Sequence, residues 1–116
     1  MTDLAALIAR IKAARRADFD INRELAPLAG LRIVDEGHPI GRACYDQNSH
    51  GVPLPNFTGS IDAALTLVPE GAEFAVGRTH DNRGIACIWV GDDEFSEEGE
   101  TPALSLCAAA LKARNA

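Results

Sequence analysis

The sequence predicts an α+β domain in which a small antiparallel β-sheet carries helices on both faces, an α/β/α sandwich. Three observations lead there. Apolar residues recur at helical spacing near both ends and in the middle, at Leu4, Leu7, Ile8 and Ile11, at Ile61, Ala64, Leu65 and Val68, and at Leu104, Cys107, Ala108 and Leu111. Ala72, Phe74 and Val76 alternate with Glu73, Ala75 and Gly77, which is the period of a strand. The next apolar segment places Ile85, Cys87 and Trp89 on one side and Ala86, Ile88 and Val90 on the other, so it asks for cover above and below.

With 116 residues, 47% of them hydrophobic and only 5% aromatic, one domain over residues 1–116 can bury a core of Ala, Leu, Ile and Val. That hydrophobicity argues against disorder. No apolar run approaches the roughly 18 residues of a membrane span. Arg10, Lys12, Arg15 and Arg16 break the most apolar stretch, which also excludes a secretion signal and leads to a cytoplasmic location with no membrane partner. A net charge of −6 disfavours direct nucleic-acid contact and favours basic partners. Cys44, Cys87 and Cys107 form no CxxC pair and no Cys/His run, and Cys87 and Cys107 read as small buried hydrophobes.

Taken in order, Thr2 caps a first helix whose start suits Asp3 and whose last turn carries Lys12, Arg15 and Arg16. A second helix starts after Asp18, carries Phe19, Ile21 and Leu25, and closes at Pro27 and Gly30, making a helical hairpin of residues 1–30. Leu31, Ile33 and Val34 suit a short strand, and Ile40 to Tyr45 another, with Gly37, His38 and Pro39 turning between them. Asp46 to Pro55 is a surface loop. Thr58 or Ser60 caps the helix that Pro69 and Gly71 end. Asp81, Asn82, Arg83 and Gly84 turn the chain between the two strands of a hairpin. Thr101 and Pro102 open the last helix, which Lys112 and Arg114 finish.

Two segments resemble a known family. Pro55 to Pro69, reading PNFTGSIDAALTLVP, and Thr101 to Ala113, reading TPALSLCAAALKA, are similar to the C-terminal portion of the phage ABA sandwich domain family, small proteins of tailed-phage and prophage genomes. The resemblance spans residues 54–114, a helix, hairpin and helix, and rests on Phe57, Thr58, Asp62, Ala63, Ala64, Leu65, Pro69, Trp89, Thr101, Pro102, Ala103, Leu104 and Ala109. The departures are Phe74, where that family commonly has Trp, and the loop from Asp35 to Gln47. The resemblance implies a fold and a phage or prophage origin. It implies no active site.

Asp92, Asp93, Glu94, Glu97, Glu98 and Glu100 crowd the stretch before the last helix. Such a run either greets a basic partner, as proteins that block nucleic-acid-binding enzymes do, or is simply a solvated loop. His80 with Asp81, near Arg78 and Arg83, has acid-base potential but no evident nucleophile beside it, and a plain polar turn is the favoured reading. His50 sits among loop residues Asp46, Asn48 and Ser49. His38, His50 and His80 match no compact zinc spacing, and the glycines form no phosphate loop, so no metal and no cofactor are expected. Phe57 either staples onto the helix it precedes or meets a ligand; Tyr45 and Trp89 are aromatic candidates for a partner surface, although the strand alternation around Trp89 favours core packing for it.

Together with the resemblance, small size, acidity and the absence of a catalytic grouping point to a phage accessory protein that acts by binding, and analogy adds antagonism of a host defence or regulatory component. A protein target would meet the acidic run, whereas a small anionic ligand such as a nucleotide signal would use Arg42, Arg78, Arg83, Tyr45 and Phe57. The alternatives are a small hydrolase built on His80 and Asp81 or His50, and a virion-assembly component that forms oligomers.

Overall fold

The computed structural model describes residues 3–34 and 43–115. Thr2, the turn at Gly37, His38 and Pro39, and Arg42 lie outside the described residues, and the cap expected of Thr2 is made by Asp3. Elements follow in the order α1 (Leu4–Ala13), α2 (Phe19–Leu25), a 3₁₀ turn (Ala26–Ala29), β1 (Arg32–Val34), β2 (Ala43–Tyr45), α3 (Ile61–Leu65), β3 (Glu73–Arg78), β4 (Gly84–Val90), β5 (Asp93–Gly99) and α4 (Pro102–Arg114).

Each helix starts where a short polar side chain satisfies free amides. Asp3 accepts from Ala5 and Ala6 for α1, and Asp18 accepts from Ile21 for α2. Ser60 accepts from Ala63 for α3, and Thr101 accepts from Leu104 for α4, with Pro102 in the first turn. Ser60 takes the cap because Thr58 is turned inward. Thr58 is buried, its hydroxyl donates to Asn22 Oδ1 at 2.8 Å, and it accepts the Asp18 amide at 2.8 Å. The Thr58 amide also donates to Asn22 Oδ1, at 2.9 Å, and Asn22 Nδ2 donates to Asn56 Oδ1 at 3.0 Å. This network joins the start of α2 to the segment before α3.

β1 and β2 form a two-stranded antiparallel ladder, with Ile33 opposite Cys44. The larger sheet has the order β3, β4, β5, all antiparallel. Its last strand corrects the sequence reading. The acidic stretch is not a loop, because Asp93 to Gly99 pair along β4 from Val90 to Gly84. Gly91 takes a φ of +60° in the two-residue turn between Val90 and Asp93, a conformation glycine adopts without strain.

Helices pack on the sheet, and the fold is α+β. The layering differs from the two-sided cover expected for β4. Gly84, Ala86 and Ile88 are buried beneath α4, whereas Ile85, Cys87 and Trp89 on the opposite face are only half-buried. The element enclosed on all sides is α4. Every residue from Pro102 to Leu111 is buried, with the sheet, α1 and α3 all packing against it. The reason lies in its side chains: Ala103, Ser105, Ala108, Ala109 and Ala110 are small enough to let neighbours approach closely from several directions. Close approach also fixes Gly84, where an added Cβ would stand 2.2 Å from the Thr101 carbonyl carbon.

The buried cluster joins Leu7 and Ile11 of α1, Ile21 and Leu25 of α2, Phe57, Ile88, and Leu104, Leu106 and Leu111 of α4. Among the described residues no helix is long and apolar enough to cross a membrane.

Candidate functional site

The three-stranded sheet turns two very different faces outward and inward. Strand register settles which residues share each. On the face away from α4, Trp89 stands between Glu73 and Glu94, Cys87 between Ala75 and Ser96, and Ile85 between Gly77 and Glu98. The central row is apolar and half-buried, and its acidic neighbours are exposed. Trp89 Nε1 donates to Glu94 Oε1 at 3.0 Å, which fixes the indole against the sheet. Cys87 Sγ lies 3.3 Å from Ser96 Oγ.

Small residues on β3 leave a trough beside that row. Ala75 and Gly77 floor a hollow of about 260 Å³ walled by Ile85 and Cys87. A Cβ added at Gly77 would meet nothing within 4 Å. A second hollow of about 440 Å³ lies at the other end, between Glu73, Trp89 and the glycines Gly71 and Gly91. The strand residues of this face include three glutamates and no cation.

The acidic run divides by strand parity. Glu97 points to the helical side, where its carboxylate meets Lys12 of α1 at 3.1 Å and Lys112 of α4 at 3.7 Å. Glu94 and Glu98 belong to the open face, and Asp92 and Asp93 sit at the turn that starts β5. Glu100 lies 3.9 Å from the Arg83 guanidinium. The run is thus part structural strut and part surface.

The remaining candidates are not gathered in one place. Phe57, considered as a ligand contact, is fully buried in the core, where its carbonyl accepts the Cys107 thiol at 3.2 Å. Burial raises that thiol to about 12, and burial also raises Cys44. Tyr45 lies in β2 with the Arg32 guanidinium 5.2 Å above its ring. His50 is exposed, with Nδ1 3.5 Å from Asp46 Oδ2, and both belong to one turn in which Asp46 accepts the His50 amide. His80 is exposed at the β3–β4 turn. Asp81 beside it accepts the Thr79 hydroxyl, and that bond holds its carboxyl below the usual range. Arg78 donates to the Asn82 carbonyl and side chain. Among the described residues no group of His, Cys, Asp and Glu could hold a metal ion.

Arg78 also lines a cleft of about 550 Å³ with Arg16, Asp62, Ser60 and Thr101. The Ser60 and Thr101 hydroxyls are already engaged as helix caps. Sequence reasoning missed Arg16 in this role, and it missed Ala75, Gly77 and Ser96 on the open face. Alternation across Glu94, Ser96 and Glu98 was the available signal for the face, with Phe95 and Glu97 between them turned inward. No family model, no curated protein and no solved structure matches this chain.

Proposed function

We propose that the protein works by binding, and that it docks a protein partner on the open face of its three-stranded sheet. One observation carries this reading: an apolar row of Ile85, Cys87 and Trp89 stays half-buried on a regular sheet surface, bordered by exposed glutamates. A central apolar patch with a charged rim is the anatomy of a protein interface. The sequence resemblance adds the setting, a phage or prophage accessory factor in the host cytoplasm that antagonises a defence or regulatory component. His80 and His50 are exposed at turns and line none of the hollows described above, so the hydrolase alternative draws no support from them. A small anionic ligand is the second reading, favoured by Arg16 and Arg78 in the cleft beside α3 and α4.

The test compares retention of proteins from a bacterial host lysate on immobilised wild type, Ile85→Asp and Phe19→Asp. Phe19, 57% exposed on α2, controls for any exposed hydrophobe. A partner held by wild type and Phe19→Asp, and lost from Ile85→Asp of equal Tm, supports docking on the sheet. Equal retention by all three sinks it. Thermal shift with nucleotides covers the second reading, since a ligand at 100 times its Kd adds about 2.7 kcal/mol.

A further inference from the structure

We infer that the element docked on the open face is a basic amphipathic helix of the partner, lying along the trough between β3 and β4. The inference rests on the docking reading above and adds the chemistry of what docks. Shape and charge carry it independently.

The sheet shows on its inner side how it receives a helix. There, Gly84, Ala86 and Gly99 are small, and the backbone of α4 comes so close that a Cβ at Gly99 would stand 3.1 Å from the Ser105 amide nitrogen. The outer side repeats the device at Ala75 and Gly77, beside the projecting Ile85 and Cys87. Small residues next to a ridge form a groove into which a row of helical side chains fits. From Ile85 to Trp89 the row spans about 13 Å at roughly 3.3 Å per residue, which nine or so helical residues cover.

Charge selects the sign of that helix and argues against a second copy of this chain. Glu73, Glu94 and Glu98 surround the apolar row, and the whole chain carries a net charge of −6. Two such faces brought together would oppose carboxylate to carboxylate. Lysine or arginine flanking an apolar stripe would instead pair with the glutamates at the rim, adding association rate and specificity. The occupant is therefore cationic, helical and apolar on one side.

Trp89 is the only tryptophan and sits within the face, so its fluorescence reports occupancy directly. The probes are synthetic peptides of about 18 residues: a Leu/Lys amphipathic helix, its Leu/Glu counterpart, and the Leu/Lys peptide with a central proline that breaks the helix. The expected result is a saturable blue shift with the Leu/Lys helix alone. Affinity should fall about tenfold in Glu73→Lys/Glu98→Lys and stay unchanged in Asp20→Lys, an exposed acid on α2. Equal affinity in both charge variants, or equal binding of the proline peptide, overturns the inference. So does a dimer by light scattering that Ile85→Asp dissolves, because a second copy would then be the occupant. If Ile85→Asp still loses its lysate partner while the peptides fail, docking on the face stands and only the helical, basic partner falls. If both fail, the docking reading falls with it.

Discussion

Asn22, Thr58 and Cys107 show how much of this fold is decided by single polar atoms in an apolar setting. Asn22 Oδ1 accepts both the amide and the hydroxyl of Thr58, so one side chain satisfies two buried donors that would otherwise be costly. Cys107 solves the same problem with a weak donor, giving its thiol proton to the Phe57 carbonyl in a site with no solvent exposure. A thiolate there would lose hydration without gaining a cation, which is why the pKa climbs from 9.0 to about 12. The folded state therefore holds this proton more tightly than the unfolded chain does. Its contribution to stability is complete below pH 9 and is lost as pH rises from 9 towards 12. Cys107→Ala removes that dependence and leaves the rest of the chain unchanged. Urea midpoints measured from about pH 8 to about pH 11 should show wild type losing stability faster than the variant. Parallel curves would show that the thiol ionises as easily folded as unfolded.

The strand β5 illustrates both what the sequence disclosed and what it concealed. Helix starts were legible because capping chemistry is local: Asp18, Thr101 and Pro102 stand where expected, and Thr58 lost its cap to Ser60 only through a long-range bond to Asn22. The β3–β4 hairpin was legible from its alternation and its turn residues. β5 was hidden because glutamates are poor strand formers, and six acids in nine residues read as solvated chain. Pairing with β4 overrides that propensity, and α1 and α4 supply lysines to the one glutamate the strand turns inward. The open face went unrecognised for a related reason, since an apolar strand in isolation cannot tell a covered side from an uncovered one. Glu97→Gln keeps the size of that inward side chain and removes its charge. With Lys12 and Lys112 both half-exposed, the expected cost is about 1 kcal/mol, shrinking as salt is raised, measured by chemical denaturation. A cost that salt leaves unchanged would assign the role of Glu97 to packing instead of charge.

Across the molecule, the distribution of burial predicts an ordering of local stabilities. α4 touches all three strands of the larger sheet together with α1 and α3, and its residues from Pro102 to Leu111 are buried. Opening it cannot be local, because every one of those neighbours would lose its apolar cover at once. Among the described residues the ladder of β1 and β2 pairs three positions, at Arg32, Ile33 and Val34, and it packs beside the 3₁₀ turn rather than on α4. Its link to the main cluster is the half-buried Ile33 side chain, so most of that cluster keeps its cover when the ladder separates. Native-state hydrogen exchange should therefore find the amides of Leu106 to Leu111 exchanging slowest, at the free energy of global unfolding, with a denaturant dependence as steep as that of the whole protein. The β1–β2 amides should exchange orders of magnitude faster and with little denaturant dependence. Comparable protection in the two places would mean that α4 is no hub. The molecule would then open as one unit from either end, and the sheet's open face would lose the rigid backing that docking of a partner requires.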